Sequence, residues 1–289
     1  MDVKNVDITT NPIYPCLWFD GNAKEAATFY CSVFSDSSIQ DENPMVVTFK
    51  SADQKFMCLN GGPEFKFTPA ISFYTIIPDE GKIQETWDKL IENGRALMPM
   101  DSYPWSQKYG WLQDKFGVTW QLTIDQPEYS NQKFIPALMF SGTNFGKAEE
   151  AIDFYSDIFG NSETKLISKY PEDDPNGQDG TINHAQFALN GKLFAAMDSA
   201  IVHNFDFNEA LSFVVECRDQ EQIDYFWEKL LEDGGKESQC GWLKDKFGVS
   251  WQIVPEILPK LMSDPERSQR VVKAFMKMKK FDIEELKNA

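Results

Sequence analysis

Apolar positions along the chain change their spacing in a fixed order. Residues 13–19 form an apolar run, and residues 23–34 then place apolar side chains at the intervals of an amphipathic helix. Two short β-like runs follow at 45–50 and 55–60, separated by the polar turn SADQ, and there is room for another short strand near Ile39. This order predicts one strand, one helix and three strands, a βαβββ module.

The next part of the chain repeats this order. Residues 71–77 have the pattern of a strand, and residues 82–92 have the pattern of a helix that ends at Gly94. Strand patterns return at 109–113 and 118–123. The first half of the chain is therefore predicted to contain two modules, and its second half two more.

A direct internal repeat supports this organisation. The segment WLQDKFGVTWQL at 111–122 returns as WLKDKFGVSWQI at 242–253, a shift of 131 residues with nine of twelve positions identical. The segment WDKLIENG at 87–94 returns as WEKLLEDG at 227–234, a shift of 140 residues. Agreement of several segments in the same order indicates a tandem duplication.

The repeat also sets the predicted domain boundaries. We expect one domain at 12–125 and a second at 133–255, joined by the segment DQPEYSNQ, which is polar and contains a proline, as linkers commonly do. Residues 256–289 carry apolar side chains in helical register. They are predicted to form a C-terminal helical tail that docks against the second domain.

Composition narrows the class of protein. With 42% hydrophobic and 25% charged residues among 289, the chain can form a packed core and is expected to be soluble and globular. Its longest apolar run, at 134–140, is far below the roughly 20 residues of a membrane span. The N-terminus lacks the pattern of a secretory signal. We therefore expect a cytoplasmic protein that binds no membrane.

Charge and side-chain chemistry exclude further classes. The formal net charge of −17 would repel a phosphate backbone, so nucleic acid is not an expected partner. Five cysteines without a CxxC pair argue against a disulfide framework or a structural zinc site. Only two histidines are present, His184 and His203, which leaves little scope for a histidine-rich metal site.

Several motifs carry a resemblance to a known superfamily. The pair FY ends the first helix of each half, and D-x-x-G-x-x-x-Q precedes the end of each half. With the four βαβββ modules, these motifs resemble the vicinal oxygen chelate superfamily, which includes glyoxalase and bleomycin-resistance proteins. LWFDGNAKEAATFY, LNGGPEF and SQCGWLKDKFGVSWQIVP are similar to its PhnB-like group, often labelled demethylubiquinone methyltransferases.

The resemblance implies an α+β fold with tandem glyoxalase-like domains. Each domain would consist of two βαβββ modules that form an open curved sheet. Metal-dependent members hold their ion with His or Glu side chains on the first, fifth and last strands of such a unit. In this sequence those positions carry Pro15, Pro136, Ala70, Ala210, Gln121 and Gln252. A neutral amide is a poor replacement for a carboxylate on a divalent cation, so we expect no metal and no cofactor.

Strand alternation selects the candidate binding residues, because every second side chain faces the open side of a half-buried sheet. The tryptophans of the last strands face the packed side, which leaves hydroxyls and one amide per half for a small polar or aromatic ligand. The candidates are Gln121, Gln252, Ser72, Ser212, Thr119 and Ser250, with Cys240 as the one thiol that could take part. The competing interpretation is that both glutamines only satisfy backbone groups.

The second half, which contains Cys240 and His203, is slightly favoured as the binding half. In the first half, a loop at 99–107 is expected to cover the open side of the sheet. His184 is interpreted as an ordinary histidine away from the ligand positions.

The sequence raises four functional hypotheses. The first is a metal-free protein of the PhnB-like group that binds a small molecule, with or without catalysis. The second is a metal-assisted lyase, isomerase or dioxygenase that uses other ligands such as Asp198 or Glu216. The third, methyl transfer, is discounted because no glycine-rich S-adenosylmethionine motif occurs. The fourth makes one half the structural partner that completes the other, as in a fused dimer; assembly into a homodimer is also open.

Overall fold

The computed structural model describes residues 6–289 of the chain. Its helices and strands, in chain order, are β1 Ile13–Phe19, α1 Ala23–Val33, β2 Ser37–Glu42, β3 Val46–Ser51, β4 Gln54–Asn60, β5 Ile71–Ile76, α2 Glu80–Ile91, β6 Arg95–Tyr103, β7 Ser106–Gln113, β8 Thr119–Thr123, β9 Phe134–Phe140, α3 Ala148–Ile158, β10 Glu163–Lys169, β11 Ile182–Leu189, β12 Lys192–Asp198, β13 Leu211–Cys217, α4 Gln220–Leu231, β14 Lys236–Glu237, β15 Trp242–Lys244, β16 Ser250–Pro255, α5 Leu258–Met262, α6 Pro265–Phe275 and α7 Ile283–Asn288. A short 3₁₀ turn, Gly142–Asn144, precedes α3.

These elements form four modules and two eight-stranded sheets. Sheet A has the strand order β14-β15-β16-β13-β1-β4-β3-β2, and sheet B has the order β10-β11-β12-β9-β5-β8-β7-β6. Each sheet therefore consists of two βαβββ modules. The predicted α+β class, with tandem glyoxalase-like units and a C-terminal helical tail, is confirmed.

The modules that share a sheet differ from the expected ones. Sheet A joins the first module to the fourth through antiparallel pairing of β1 with β13, in which Pro15 lies opposite Phe213. Sheet B joins the second module to the third through β5 and β9, in which Phe73 lies opposite Pro136. Each sheet thus takes one module from each half of the sequence. The domain boundaries at 12–125 and 133–255 stay a prediction.

Packing within each half explains why each sheet combines modules from different halves. The two modules of the first half face each other across the helices, with the Phe56 and Phe73 ring centroids 5.4 Å apart and those of Tyr30 and Trp120 5.3 Å apart. This packing buries the helix layer but leaves β1 and β5 in different sheets. Since an unpaired central strand would expose its backbone N–H and C=O groups, each pairs with a strand from the other half.

A buried carboxylate links the two modules of the first half. Asp114 Oδ1 accepts hydrogen bonds from the backbone N–H groups of Phe116 (2.9 Å) and Val118 (3.0 Å). Its Oδ2 accepts from the Tyr30 hydroxyl (2.9 Å) and from Trp120 Nε1 (2.8 Å). The FY and D-x-x-G motifs of the sequence therefore meet at one point between α1 and β8.

The second half repeats this carboxylate node. Asp245 accepts from the backbone N–H groups of Phe247 and Val249, from the Tyr155 hydroxyl (2.8 Å) and from Trp251 Nε1 (2.9 Å). Burial raises the pKa of both aspartates to about 6, although their four hydrogen bonds act in the opposite direction. Both side chains are ionised at pH 7 and satisfy every donor around them.

The C-terminal tail packs on the edge of sheet A, against the second half as predicted. The backbone N–H groups of Cys240 and Gly241 donate to the carbonyls of Met278 (2.8 Å) and Lys279 (2.7 Å). Phe281 is buried beside Gly241. Within residues 6–289, every helix is too short or too polar to cross a bilayer.

Cutting the linker tests the exchange of modules. If a protease site is inserted after Pro127 and cleaved, the two fragments should remain associated, because β1–β13 and β5–β9 pairing joins them in both sheets. Size-exclusion chromatography under native conditions should show one species near the intact 33.1 kDa. Elution of two separate folded fragments would contradict this topology.

Substitution of the buried carboxylate tests the node. Asp114→Asn keeps an acceptor for two backbone N–H groups but turns an amide N–H₂ toward the donor Trp120 Nε1. A buried donor left without an acceptor should lower the free energy of unfolding by about 2 kcal/mol in urea titrations. Asp245→Asn should lower the free energy of unfolding by a similar amount. Asp53→Asn should leave it unchanged, because the Asp53 side chain is 99% exposed. Equal stability of all three variants would show that the node is dispensable.

Candidate functional site

Each sheet has one face that packs on the helices and one that does not. In β1, Ile13, Leu17 and Phe19 belong to the main core, whereas Tyr14 and Cys16 form a separate cluster. We call the helix-free surface of sheet A face A and the corresponding surface of sheet B face B. The members of the two separate clusters are, on face A, Tyr14, Cys16, Met57, Leu59, Val214 and Val254, and on face B, Tyr74, Ile76, Ile135, Ala137, Ala188, Leu193 and Ala195.

Two of the six expected metal-ligand positions, both prolines, point away from the faces. Pro15 is paired with Phe213, a residue of the main core, and therefore lies on the packed side of β1; Pro136 occupies the same place in β9. The side chains of β1 that reach face A include Tyr14 and Cys16. The expected first-strand assignment was therefore displaced by one residue, since side chains alternate along a strand.

The expected fifth-strand positions lie at the beginning of β5 and β13. Ala70 and Ala210 each precede the first residue of their strand, β5 and β13. The side chains of these strands that reach the faces include Ser72 and Ser212. Gln121 and Gln252, by contrast, lie on the faces as predicted, each hydrogen-bonded to the serine of the neighbouring strand.

On face A, the amide of Gln252 and a thiol meet at the centre of the sheet. Gln252 Nε2 donates to Ser212 Oγ at 2.9 Å, and Cys16 lies directly opposite Ser212 across β1 and β13. Burial raises the pKa of Cys16 to about 12, although hydrogen bonds from Gln252 and Ser212 act in the opposite direction. This thiol is protonated at pH 7 and is not a nucleophile.

One border of face A carries an ion pair. Glu216 Oε1 accepts from the Tyr14 hydroxyl (2.7 Å) and from Lys55 Nζ (2.8 Å). Lys55 Nζ also lies 4.1 Å from the centroid of the Tyr14 ring. The carboxylate of Glu216 is thus already occupied by two donors of the protein.

On face B, the amide of Gln121 has partners on both of its atoms. Gln121 Nε2 donates to Ser72 Oγ at 2.7 Å, and the Tyr109 hydroxyl donates to Gln121 Oε1 at 2.7 Å. Thr119 is buried and donates to the Ile71 carbonyl at 3.1 Å. Its counterpart Ser250 is also buried, and its hydroxyl has no partner within residues 6–289.

His184 also belongs to face B, which corrects its interpretation as a histidine away from the site. Gln186 Nε2 donates to His184 Nε2 at 3.0 Å, and the Tyr129 hydroxyl donates to Gln186 Oε1 at 2.7 Å. The rings of Tyr74 and His184 are 5.8 Å apart. Burial lowers the pKa of His184, so the imidazole is neutral at pH 7.

Sequence reasoning missed Tyr109 and His184 for different reasons. Alternation in β11 could have found His184, since Ala185 and Phe187 belong to the core and the residues between them must face the other side. Nothing in the sequence near Gln121 indicates that β11, which comes from the other half, lies in the same sheet. Tyr109 stands where the second half has Cys240, so the internal repeat does not single it out.

Cys240 and His203 contribute no polar contact to Gln252. Cys240 adopts a left-handed backbone conformation (φ +57°), and its Sγ lies 3.8 Å from Met276 Sδ in the C-terminal tail. His203 bonds to Ser199 (3.0 Å) and stacks on Phe205. The reasons for favouring the second half are therefore removed.

The hairpin of β6 and β7 contains the expected covering loop. Tyr103 and Trp105 contact Tyr109, with ring centroids 5.6 and 5.8 Å from its ring. Trp105 itself is 59% exposed. The aromatic segment thus extends face B at its border.

Two small cavities of the molecule are lined by neither Gln121 nor Gln252. One is lined by residues that include Pro15 and Pro136, and the other by residues that include Thr68 and Phe207. Each has a volume of about 10 Å³, room for about one water molecule.

The residues of the two faces do not suit a metal ion. Face A offers an amide, hydroxyls, a protonated thiol and the Glu216 carboxylate, which is already bonded to Tyr14 and Lys55. Face B offers a hydrogen-bonded glutamine and one imidazole, His184, which is bonded to Gln186. Divalent cations bind carboxylates and imidazoles in preference to the other groups. Within residues 6–289, no cluster of three or more His, Cys, Asp and Glu side chains could hold a metal.

Asp198, an alternative metal ligand in the sequence analysis, is buried and serves the backbone instead. Its Oδ1 accepts from the N–H groups of Gly146 (2.9 Å) and Ala148 (3.2 Å), and its Oδ2 accepts from Ile182 N–H (2.9 Å). It therefore fixes the beginning of α3 against sheet B.

Comparison with known proteins finds a family model that matches both halves. The 3-demethylubiquinone-9 3-methyltransferase model matches residues 11–123 and 132–254. The PhnB protein of Bacillus cereus is 40% identical, with 41% of this chain and 98% of that protein covered and a TM-score of 0.36. Glyoxalase I of Zea mays is 13% identical, with 87% and 96% covered, and its TM-score of 0.58 shows a shared fold. No curated protein sequence matches the chain.

Truncating the two glutamines should separate their structural roles. Gln121→Ala leaves both Ser72 and the Tyr109 hydroxyl without their partner, so we expect a loss of about 2 kcal/mol in the free energy of unfolding. Gln252→Ala removes the bond to Ser212 and the weaker one to the Cys16 thiol, and it should cost about 1 kcal/mol. Urea titrations measure both values, and a larger loss in Gln252→Ala would contradict the assigned bonds.

Proposed function

Since this chain belongs to the 3-demethylubiquinone-9 3-methyltransferase family, whose model matches each of its halves, we propose that it binds a small organic molecule on the helix-free face of a sheet. The binding requires no metal ion and no other cofactor. The candidate residues are the glutamine and serine at the centre of each face, Gln121 with Ser72 and Gln252 with Ser212.

The observation that carries the proposal is this amide and hydroxyl pair, present on both faces. The two bonds have nearly the same length, 2.7 Å for Gln121 and 2.9 Å for Gln252. An amide combines a donor and an acceptor, so it can orient a polar group of either kind, whereas it ligates divalent cations poorly. Apolar side chains around each pair supply contact area for the rest of a ligand.

The metal-assisted alternative has less support. Asp198 and Glu216, the other ligands considered, are engaged by three backbone N–H groups and by Tyr14 with Lys55, respectively. Redirecting either carboxylate to a metal would leave buried or half-buried donors without an acceptor, which costs free energy.

Methyl transfer, the activity in the name of the family model, also has less support. Enzymes of the common S-adenosylmethionine fold need a glycine-rich turn between a first strand and a helix. The sequence contains no such segment.

The fused-dimer hypothesis is compatible with this function and favours a single chain as the binding unit. Each face already contains one module from each half, so a second copy is not needed to complete it. The net charge of −17 continues to argue against nucleic acid. Five free cysteines suit a reducing compartment, and we propose the cytoplasm.

Two measurements on the purified full chain test the function. Elemental analysis should find far less than one equivalent of transition metal, and fragments soaked into crystals should collect on face A or face B. One equivalent of metal, lost together with ligand binding on chelation, would contradict the metal-free proposal. Fragments found only on the outer helices or near Pro127 would reject both faces.

A further inference from the structure

The centre of face A is buried although no helix packs on it. Its central side chains are at most 5% exposed; they are Cys16, Ser212, Val214, Ser250 and Gln252. A sheet with one free face would leave such side chains in contact with water. Other side chains on the same face must therefore cover the centre.

Two tryptophans provide this cover. Trp18 follows Cys16 by two positions in β1, so it projects from the same face. Trp242 in β15 is the cross-strand neighbour of Gln252 and shares its face. Strands β13 and β16 lie between β1 and β15, which sets the two outer strands about 14 Å apart at the usual strand spacing. The two ring centroids are nevertheless 5.8 Å apart. The indoles therefore meet above the two strands that carry the serine and the glutamine.

Trp18 is held in place on several sides. Its Nε1 donates to the Gly62 carbonyl at 2.7 Å, and the centroid of the Phe65 ring lies 5.0 Å from that of its own ring. The indole also rests on the backbone of Gly61, where an added Cβ would lie 2.1 Å from the ring. Trp18 is thus the fixed member of the pair.

Trp242 has fewer restraints. Within residues 6–289, its Nε1 donates no hydrogen bond, and its ring meets one other aromatic ring, that of Trp18. It belongs to β15, a strand of three residues that lies beside β14, the two-residue strand at the sheet edge. A side chain in this position can change its rotamer and turn toward solvent while the backbone stays in place.

Resting on the proposed function, we infer that Trp242 is the gate of face A. With its indole against Trp18, the pair of Gln252 and Ser212 is closed off from solvent. When the indole turns outward about its Cα–Cβ bond, this pair and the Cys16 thiol become accessible. A ligand then takes the vacated place beside Trp18.

The Cys16 thiol reports the state of the gate, because it lies beneath the indoles. The full chain is treated with iodoacetamide, and the labelled peptides are quantified by mass spectrometry over time. Cys58 and Cys217 belong to the main core on the helix side, so they react only when the protein unfolds. Burial raises the pKa of all three thiols, so each reacts slowly while it stays buried. Cys16 should react faster than both core cysteines, since a local opening requires less free energy than unfolding.

Trp242→Ala removes the gate. Since minor conformations of folded proteins are commonly populated at about 0.1–10%, labelling of Cys16 should become at least about tenfold faster. Cys58 and Cys217 should keep their rates. Trp242→Phe, which has a smaller ring, should give an intermediate rate. The matched control is Trp111→Ala at the equivalent position of face B, which should leave the Cys16 rate unchanged.

Two labelling results would overturn the gate. One is an unchanged Cys16 rate in Trp242→Ala. The other is an equal acceleration of Cys16, Cys58 and Cys217 in both Trp242 variants, which would show that the indole stabilises the whole fold and does not close one face.

Fragment soaks of Trp242→Ala crystals separate the gate from the proposed function. Fragments should occupy face A beside Trp18 more fully than in the unaltered chain. Equal occupancy of face A in both proteins would overturn the gate and support the proposed function. Faster labelling of Cys16 without fragments on either face would support the gate and reject the proposed function.

Discussion

The arrangement of this protein depends on a buried aspartate in each half. Asp114 and Asp245 each receive four donors, two from the turn that follows and two from a tyrosine and a tryptophan. Since Tyr30 belongs to the first module and Asp114 to the second, the carboxylate holds two modules face to face across their helices. That packing separates β1 from β5, and both sheets must then be completed by the other half.

Much of the fold could be predicted from the sequence, because the repeat and the change of apolar spacing define four modules directly. Their pairing could not, since β1 and β5 are both apolar strands and local pattern does not show which strand lies beside them. The placement of Pro15 failed for another reason. It was counted from a distant motif, whereas the core residues Ile13 and Leu17 place Pro15 on the packed side by alternation.

The candidate site, like the fold, could be predicted in part from the sequence. The two glutamines and their serines lie on adjacent strands of one module, so alternation alone was sufficient to bring Gln121 and Ser72 together. His184 comes from the other half of the sequence and reaches the same face only through pairing of β5 with β9. A local sequence pattern does not show long-range strand pairing of this kind. The positions of side chains that depend on such pairing can be learned only from the structure.

The exchange of modules between halves has a consequence for how the protein can evolve. In a dimer of two identical single-domain chains, one substitution alters both sheet faces at once. In this duplicated chain, every module occurs once and contributes to only one face. Selection can therefore change the two surfaces independently, as the pairs Cys16 with Met57 and Ala137 with Ala195 already illustrate. Carrying all four modules in one chain thus lets each surface change while the strand pairing that both require is kept.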